Sequence, residues 1–382
     1  MKTTVKMSFI AIALLSIVSC KQKLAESQSV TTSTEVNAPA EEKILNVYSW
    51  DNYMDPAVLE AFTKETGIKV VYDTFDSSET LEAHLLAGNS GYDIVVPGNP
   101  FLGRQIEAGV FFKLDKSKLS NWSNLDPVMT KLLATYDAGN AHAVPFMWGT
   151  TGLGMDVNKV RAILGPNVEL NNWDVLFNPE NAKKLSSCGI SMLDTAGEVE
   201  GIALHYLGKD PGTINESDYD AAYELLKSIR PYIKHFSNTD LATTLASGES
   251  CLVLGWNGDM LQARRTAIEA NNGMDIQYFI PSQGTEVWMD NYAIPADAPH
   301  KDNAHQFMNF IMRPEMIAKI SNFVNYANPN KAANDLVSKE LTGNPNVYPN
   351  DELRAKLYGV PVLPANIDRK ITRVWTKLKS NQ

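Results

Sequence analysis

The sequence predicts an α/β fold with a largely parallel sheet covered by helices. From residue 44 onward, short apolar stretches typical of strands alternate with amphipathic stretches typical of helices. The alternation returns after residue 250, and no unit of roughly 20–50 residues repeats, which excludes a solenoid. With 382 residues, of which 44% are hydrophobic, the chain can form two compact domains or one large domain.

The N-terminal segment has the pattern of a signal peptide rather than of a folded element. Lys2 and Lys6 precede an apolar run over 9–18, which is too short for a comfortable membrane span. Just after the run, Cys20 completes a pattern that resembles a bacterial lipobox. We therefore expect residues 1–19 to be a lipoprotein signal peptide and Cys20 to carry a lipid. The alternative is an ordinary signal peptide that contains a cysteine.

Residues 20–43 connect the predicted lipid to the predicted fold. After Cys20 this stretch is rich in Ser, Thr, Glu, Ala and Gln and lacks apolar periodicity, which is typical of a flexible tether. Only two cysteines remain beyond it, Cys188 and Cys251. In an exported chain such a pair favours a disulfide, and two buried free thiols are the alternative.

Strands and helices are predicted from apolar spacing and from their start and stop residues. The first strand covers 44–49, and the helix after it begins at Pro56, a favoured residue in the first helical turn, and ends before Gly67. A strand over 68–72, a helix from 78 and a strand over 92–96 complete the first βαβαβ unit. The second part of the chain contains predicted strands over 252–255 and 276–280 and predicted helices over 258–269, 302–312, 315–323 and 371–378.

Three aromatic–acid pairs are the main functional signal in the sequence. Ligands of open α/β sheets bind at the carboxyl ends of strands, where two of the pairs stand. A carboxylate can pair with an ammonium group, and flat Trp or Tyr faces suit a methylene chain and attract cations by roughly 0.5–2 kcal/mol. Tyr53 could add a further aromatic wall and Glu198 a further charge. The pairs are Trp50 with Asp51, Trp256 with Asp259, and Trp288 with Asp290. The alternatives are core packing for each Trp and a helix N-cap for Asp259.

Composition and missing motifs argue against several other functions. A net charge of −10 without a basic block argues against nucleic acid as a partner. The six histidines show no metal-ligand spacing, and the glycines of residues 149–154 match neither a P-loop nor a dinucleotide fingerprint. No G-x-S-x-G motif occurs. We therefore expect no enzyme activity, no cofactor and no metal, and a paired-carboxylate hydrolase is the remaining enzymatic alternative.

Seven segments carry a resemblance to a known family. They are V-Y-S-W at 47–50, E-T-G-I-K-V at 65–70, Y-D-I-V-V-P at 92–97, C-G at 188–189, G-W-N-G-D at 255–259, A-D-A at 296–298 and Y-A-N at 326–328. From about residue 45 onward the chain resembles the periplasmic putrescine- and spermidine-binding proteins of bacterial ABC transporters, above all their putrescine-type branch. The resemblance implies a periplasmic protein that captures a linear polyamine and delivers it to the permease subunits. We expect this protein to be a monomer, held to a membrane by the lipid predicted on Cys20.

The resemblance also implies a type II periplasmic-binding-protein fold, in which two lobes close on the ligand. The chain would cross between the lobes near 146–149 and near 279–284, and Cys188 and Cys251 would form a disulfide. The lobes would comprise 44–146 with 283–318, and 147–282 with 319–382.

Matched position by position, the resemblance implies a box of aromatic side chains around a few ammonium-binding acids. The box would comprise Trp50, Tyr53, Trp256, Trp288 and Tyr326. The ammonium partners would be Glu198, Asp259 and Asp290, and Asp51 and Gly98 would line the same site.

Departures from the family pattern bear on the identity of the polyamine. Asp51 and Asn52 stand where putrescine binders have Ser and Asp, Gly98 replaces a Ser, and Thr195 stands where the spermidine branch has an acid. Trp288, in contrast, resembles the spermidine-preferring pattern. We therefore expect spermidine or a similar triamine, closely followed by putrescine. A polyamine-sensing module that regulates a membrane signalling receptor is the alternative function.

Overall fold

Nine strands organise the protein, whose computed structural model describes residues 41–380. The predicted signal peptide, Cys20 and most of the predicted tether lie outside these residues. The strands are β1 (Ile44–Trp50), β2 (Lys69–Phe75), β3 (Ile94–Val95), β4 (Ala143–Asp156), β5 (Ile190–Met192), β6 (His235–Phe236), β7 (Leu252–Trp256), β8 (Ile276–Phe279) and β9 (Val287–Ala293).

Helices connect these strands, and several begin and end where the sequence predicts. In the first helix the Asp55 carboxylate accepts the N–H of Ala57 at 2.9 Å, and Gly67 ends the helix with a left-handed φ of 73°. Within residues 41–380, no helix is long and apolar enough to cross a membrane. The helices are α1 (Pro56–Thr66), α2 (Ser78–Ala87), α3 (Asn99–Glu107), α4 (Pro127–Leu133), α5 (Val157–Leu164), α6 (Asp174–Phe177), α7 (Pro179–Leu185), α8 (Ala196–Tyr206), α9 (Glu216–Ile229), α10 (Leu241–Ala246), α11 (Asn257–Glu269), α12 (Lys301–Ile311), α13 (Pro314–Val324), α14 (Lys339–Thr342), α15 (Asp351–Arg354) and α16 (Ala365–Lys379).

The sheet is mixed rather than largely parallel. Strand pairing follows the order β2-β1-β3-β9-β4-β7-β5-β6, and β8 also pairs with β4. The pairs of β1 with β2 and β3, and of β5 with β6 and β7, are parallel as predicted. The pairs that involve β4 or β9 are antiparallel. This differs from the prediction because the two long connecting strands run against their neighbours.

Two apolar cores lie on either side of β4, which is buried along its whole length. The first half of β4 pairs with β9, and the second half pairs with β7 and β8. The first core draws its side chains from residues 45–148 and 289–347, and the second from 153–280 and 367–378. The chain therefore passes between the cores within β4, between β8 and β9, and between residues 348 and 366.

The chain passes between the cores for the third time after residue 348, whereas the predicted boundary lay between residues 318 and 319. Ile320 and Val324 of α13, and Val347 well beyond that helix, belong to the first core, whereas the prediction placed them in the second lobe. The N–H of Trp148 donates to the Ala327 carbonyl at 2.9 Å, which attaches the segment after α13 to the strand at the centre of the molecule. This non-local contact keeps residues 319–347 with the first core.

The second core contains the expected disulfide. Cys188 and Cys251 are bonded, with their Cα atoms 5.5 Å apart. Both residues precede parallel strands, β5 and β7, so the bond lies at the amino ends of these strands. It is consequently far from the carboxyl end of β7, where Trp256 stands.

Candidate ligand-binding site

A cavity of about 1170 Å³ opens where the carboxyl ends of β1, β3 and β7 meet the amino end of β9. Because β9 runs antiparallel to its neighbours, its first residues reach the same edge of the sheet as the last residues of the parallel strands. All ten residues predicted for the site line this one cavity: Trp50, Asp51, Tyr53, Gly98, Glu198, Trp256, Asp259, Trp288, Asp290 and Tyr326.

Asp290 is a buried acid on β9, the strand that belongs to the first core. The hydroxyl of Tyr53 donates to its Oδ2 at 2.7 Å. Gly98 forms an isolated antiparallel bridge with Asp290, and a Cβ atom at position 98 would lie 3.3 Å from Asp290 Oδ1. Burial raises the pKa of Asp290 to about 7, although the side chains of Tyr53 and Trp50 favour the charged form. The carboxyl group is thus buried, and the partners that the described residues provide for it are neutral side chains.

Glu198 is a second, half-buried acid, in the first turn of α8 beside the second core. The hydroxyl of Thr151 donates to its Oε1, and the indole N–H of Trp256 donates to the same oxygen at 3.1 Å. Burial raises the pKa of Glu198 to about 7 despite these two donors. Trp256 therefore both forms a wall of the cavity and orients the acid.

Asp259 is the third acid of the site, is half-buried and lies in the first turn of α11. The Tyr326 hydroxyl donates to Asp259 Oδ1 at 2.8 Å and accepts the Asp259 backbone N–H at 3.3 Å. The carboxylate thus pairs with a side chain from the first core, and it does not act as the helix N-cap. Burial, and to a smaller extent the charge of Asp51, raises the pKa of Asp259 to about 6.

Gly258 makes the contact between Asp259 and Tyr326 possible. The ring of Tyr326 packs directly on the backbone of Gly258, so that a Cβ atom there would lie only 2.4 Å from a ring carbon. A larger residue would displace the ring and with it the hydroxyl that holds Asp259.

The aromatic side chains form two groups around the acids. Phe75, Trp50 and Trp256 follow one another with ring centroids 4.6 and 6.0 Å apart. Tyr326 stands between Tyr53 and Trp288, at 5.4 and 5.3 Å. The three Trp rings are only partly buried, whereas Trp173, a Trp of the second core, is completely buried. The half-buried rings leave flat faces open to the cavity, which core packing alone does not require.

Asp51 and Asn52 lie in the turn after β1 and both line the cavity. Both are exposed, and the Asn52 amide donates to Asp51 Oδ2 at 2.9 Å. Asn52 has a φ of 52°, a left-handed conformation that Asn tolerates better than most residues. Asp51 therefore contributes a solvent-screened charge rather than a buried one.

Glu286 lines the cavity as well, and the sequence prediction did not include it. The residue is 6% exposed and stands immediately before β9. The sequence carried a signal for it, because side chains alternate along a strand and Glu286 precedes Trp288 by two positions, as Trp288 precedes Asp290. Within residues 41–380, no cluster of three or more His, Cys, Asp or Glu side chains could hold a metal ion.

The arrangement can neutralise a ligand that carries more than one positive charge on an apolar chain. One of the three acids lies on the first-core side of the cavity and two lie on the second-core side. Within residues 41–380 none of the three carboxylates has a cationic partner, and each accepts a hydrogen bond from an aromatic side chain. A desolvated ammonium group would find both a counter-charge and a flat apolar surface here.

Comparison with known proteins identifies relatives along most of the chain. The putrescine-binding periplasmic protein PotF of Escherichia coli strain K12 is 49% identical over 344 residues, which cover 90% of this chain and 93% of that protein. The spermidine/putrescine-binding periplasmic protein of the same strain is 36% identical over 309 residues, which cover 81% of this chain and 84% of that protein.

Solved structures and a family model agree with these relatives. The Tp0655 (TpPotD) lipoprotein of Treponema pallidum matches with a TM-score of 0.74 at 26% identity, over 88% of this chain and 99% of that chain. The family model described as bacterial extracellular solute-binding protein matches residues 57–349. With this match, and with relatives that are well above 30% identical over most of the chain, the protein belongs to the bacterial extracellular solute-binding proteins.

Proposed function

We propose that this protein captures a linear polyamine between its two lobes and delivers it to the permease of an ABC importer. The observation that carries the proposal is the cavity itself, where Asp290 is buried, Glu198 and Asp259 are half-buried, and all three are held by neutral donors and next to aromatic rings. Burial raises the pKa of each of the three carboxyl groups, which is the signature of acids that lack a cation. A polyamine supplies the missing positive charges.

Capture also provides a reason for the lobes to close. The acids are divided between the two sides of the cavity, so a ligand with two ammonium groups contacts both sides only when the lobes are together. A ligand shifts a conformational equilibrium by its differential affinity for the two states. The bridging cation therefore favours the closed form that a permease would recognise.

The relatives support the class of ligand and the setting. PotF is named as a putrescine-binding periplasmic protein, and the solved Treponema relative is named as a lipoprotein. We accordingly infer an extracytoplasmic monomer, anchored through a lipid on Cys20, that binds and releases its ligand without chemical conversion. Transport is favoured over sensing because the named relatives of known structure include the substrate-binding protein of a spermidine/putrescine ABC transporter, from Streptococcus pneumoniae.

Calorimetric titration of the full chain tests the proposal. Putrescine, spermidine, agmatine and spermine are titrated separately, and butanediol, which has the putrescine chain without its charges, serves as the control ligand. We expect at least one amine to bind one-to-one with a Kd below about 100 μM and butanediol not to bind. The absence of binding by all four amines would overturn the polyamine assignment.

A further inference from the structure

Glu286 is a buried fourth acid in the cavity, and neither the family resemblance nor the three acids described above account for it. Its side chain is 6% exposed, and its Oε2 has no hydrogen-bond partner among the described residues. A buried charged oxygen without a partner is costly, so such a group calls for a compensating proton or cation. Its position on the cavity wall makes it accessible to a ligand.

The strand geometry places Glu286 in one row with two residues of the site. Side chains two positions apart project from the same face of a strand, and Glu286, Trp288 and Asp290 all line the cavity. Glu286 belongs to this row although it precedes β9, because the N–H of Thr151 donates to its carbonyl at 3.3 Å and continues the ladder. The row consists of an acid, an aromatic ring and a second acid. From Glu286 to Asp290 the backbone spans roughly 13 Å, at about 3.3 Å per residue.

Glu198 stands close to the free end of this row. The backbone of Thr151 is bonded to Glu286, and the hydroxyl of Thr151 donates to Glu198. The two carboxyl groups thus flank one threonine. Burial, together with the negative charge of Glu198, raises the pKa of Glu286 well above its ordinary value. Two acids this close are stabilised together by a cation that enters between them.

We propose that Glu286, with Glu198, forms an additional ammonium subsite that makes the protein prefer a triamine to a diamine. The inference rests on the proposed function. A diamine held between Asp290 and Asp259 leaves Glu198 and Glu286 without an ammonium partner, because it is too short to follow the row past Trp288. A triamine of spermidine length extends along the face of Trp288 and places its remaining ammonium group beside Glu286.

A double-mutant cycle between protein and ligand tests the subsite. The full chain and its Glu286→Gln variant are titrated with spermidine, with putrescine, and with two spermidine analogues in which one or the other terminal ammonium is replaced by a methyl group. We expect Glu286→Gln to weaken spermidine at least tenfold and putrescine less than threefold. One of the two analogues should bind the wild type at least tenfold more weakly than spermidine does. The same analogue should bind the variant almost as tightly as spermidine does.

Controls separate the possible failures. Glu224→Gln makes the same chemical change on the exposed surface of α9, outside the cavity, and should leave all affinities unchanged. If Glu286→Gln does not fold, the two analogues still test the subsite on the wild type, where equal small losses for both would overturn it. Binding of amines with no preference for spermidine, or no coupling in the cycle, would overturn the subsite alone, whereas no amine binding would overturn the proposed function itself.

Discussion

At the scale of single residues, Asp290 is the most buried of the three acids predicted to pair with ammonium groups. It accepts a hydrogen bond from Tyr53, Trp50 also favours its charged form, and it faces Gly98, which brings no side-chain donor. In the family pattern a Ser stands at that position. The pKa of Asp290 is about 7, so these neutral partners do not compensate for burial, and its negative charge is left for the ligand to stabilise.

Asp290→Asn should remove most of the affinity without unfolding the protein. The amide keeps an acceptor for Tyr53, but it leaves a desolvated ammonium group without its counter-charge, a loss of roughly 2–5 kcal/mol. Calorimetry should show a Kd raised by roughly thirtyfold or more. The matched control is Asp51→Asn, which removes an exposed charge and should change Kd by less than about fivefold. Equal effects of the two substitutions would contradict the assignment of Asp290.

The affinity for putrescine should depend on pH in a direction set by the three acids of the site. In the free protein their pKa values are raised to about 6 for Asp259 and about 7 for Glu198 and Asp290, and each must lose its proton to pair with an ammonium group. Binding should therefore weaken as pH falls from about 8 to about 6, by roughly tenfold for each carboxyl with a pKa of about 7 and by roughly twofold for Asp259. Titrations at both pH values measure this, and equal affinities would contradict the role of these acids.

The free energy of unfolding of the free protein should change in the opposite direction. A carboxyl whose pKa is raised in the folded state binds protons there that the unfolded chain, with an ordinary pKa near 4, has released. Its stabilising effect is present at low pH and is lost as pH rises through about 7. Thermal melting should show a smaller drop in Tm between about pH 5 and about pH 8 for Asp290→Asn than for the wild type. An identical drop would contradict the raised pKa of Asp290.

At the scale of elements, the first turns of α8 and α11 carry the two acids of the second lobe. Glu198 and Asp259 each stand at the third position of their helix, and the side chain that holds each of them comes from outside that helix. In α11 the fit depends on Gly258, against which Tyr326 packs. The helix start thus positions an acid and, at the same time, an aromatic wall.

Gly258→Ala should impair binding more than folding. The added methyl group would lie 2.4 Å from the Tyr326 ring, so the ring must move and its hydroxyl must leave Asp259. We expect a loss of tenfold or more in polyamine affinity by calorimetry, with a Tm that falls by only a few degrees. Gly201→Ala, in the middle of α8, meets atoms no closer than 3.8 Å and serves as the control, with affinity unchanged. An unchanged affinity for Gly258→Ala would contradict the contact.

The disulfide belongs to the stability of the second core and not to the site. Cys188 and Cys251 close a loop across a sequence separation of 63, for which the chain-entropy estimate is about 4 kcal/mol. The double variant Cys188→Ser/Cys251→Ser should lower the free energy of unfolding by roughly 2–4 kcal/mol in denaturant titration. Its polyamine affinity at low temperature should stay within threefold of the wild type. A large loss of polyamine affinity in the folded double variant would contradict the conclusion that the disulfide is not part of the site.

Local signals explain which elements the sequence could predict. Pro56 and Gly67 mark the ends of α1, and alternation with apolar strands made β1, β2 and β7 recognisable. The antiparallel direction of β4 and β9 was not predictable from such signals, because it follows from pairing between distant segments. The membership of residues 319–347 in the first core was missed for the same reason, since an amphipathic helix face does not tell which of two cores it meets.

For the site, the residues alone gave three aromatic–acid pairs together with Tyr53 and Glu198, and the family resemblance added Gly98 and Tyr326. All of these residues line one cavity. Glu286 was missed because only its contact with Thr151 brings the residue before β9 into the ladder of the sheet. Asp51, in contrast, follows Trp50 directly in the sequence but is exposed in the turn after β1. Its position next to Trp50 in the sequence therefore did not predict how exposed it is.

At the scale of the whole molecule, the two lobes meet around the cavity through polar contacts as well as aromatic rings. Arg104 of α3 bonds Asp368 of α16 at 3.0 Å, and the Asn238 amide donates to the Asp76 carbonyl at 3.2 Å. Trp50 and Trp256, one from each side of the cavity, lie edge to face with their ring centroids 6.0 Å apart. Half-exposed ion pairs contribute little by themselves, so the bridging ligand has to supply most of the free energy that favours closure.

A crystal structure of the full chain with spermidine tests the central claim most directly. The account predicts the polyamine inside the cavity, with its ammonium nitrogens within about 3 Å of carboxylate oxygens of Asp290 and of acids of the second lobe. Its methylene chain should lie against the faces of Trp50, Trp256 and Trp288. A polyamine bound outside the cavity, or inside it with water rather than these carboxylates around its nitrogens, would contradict the account.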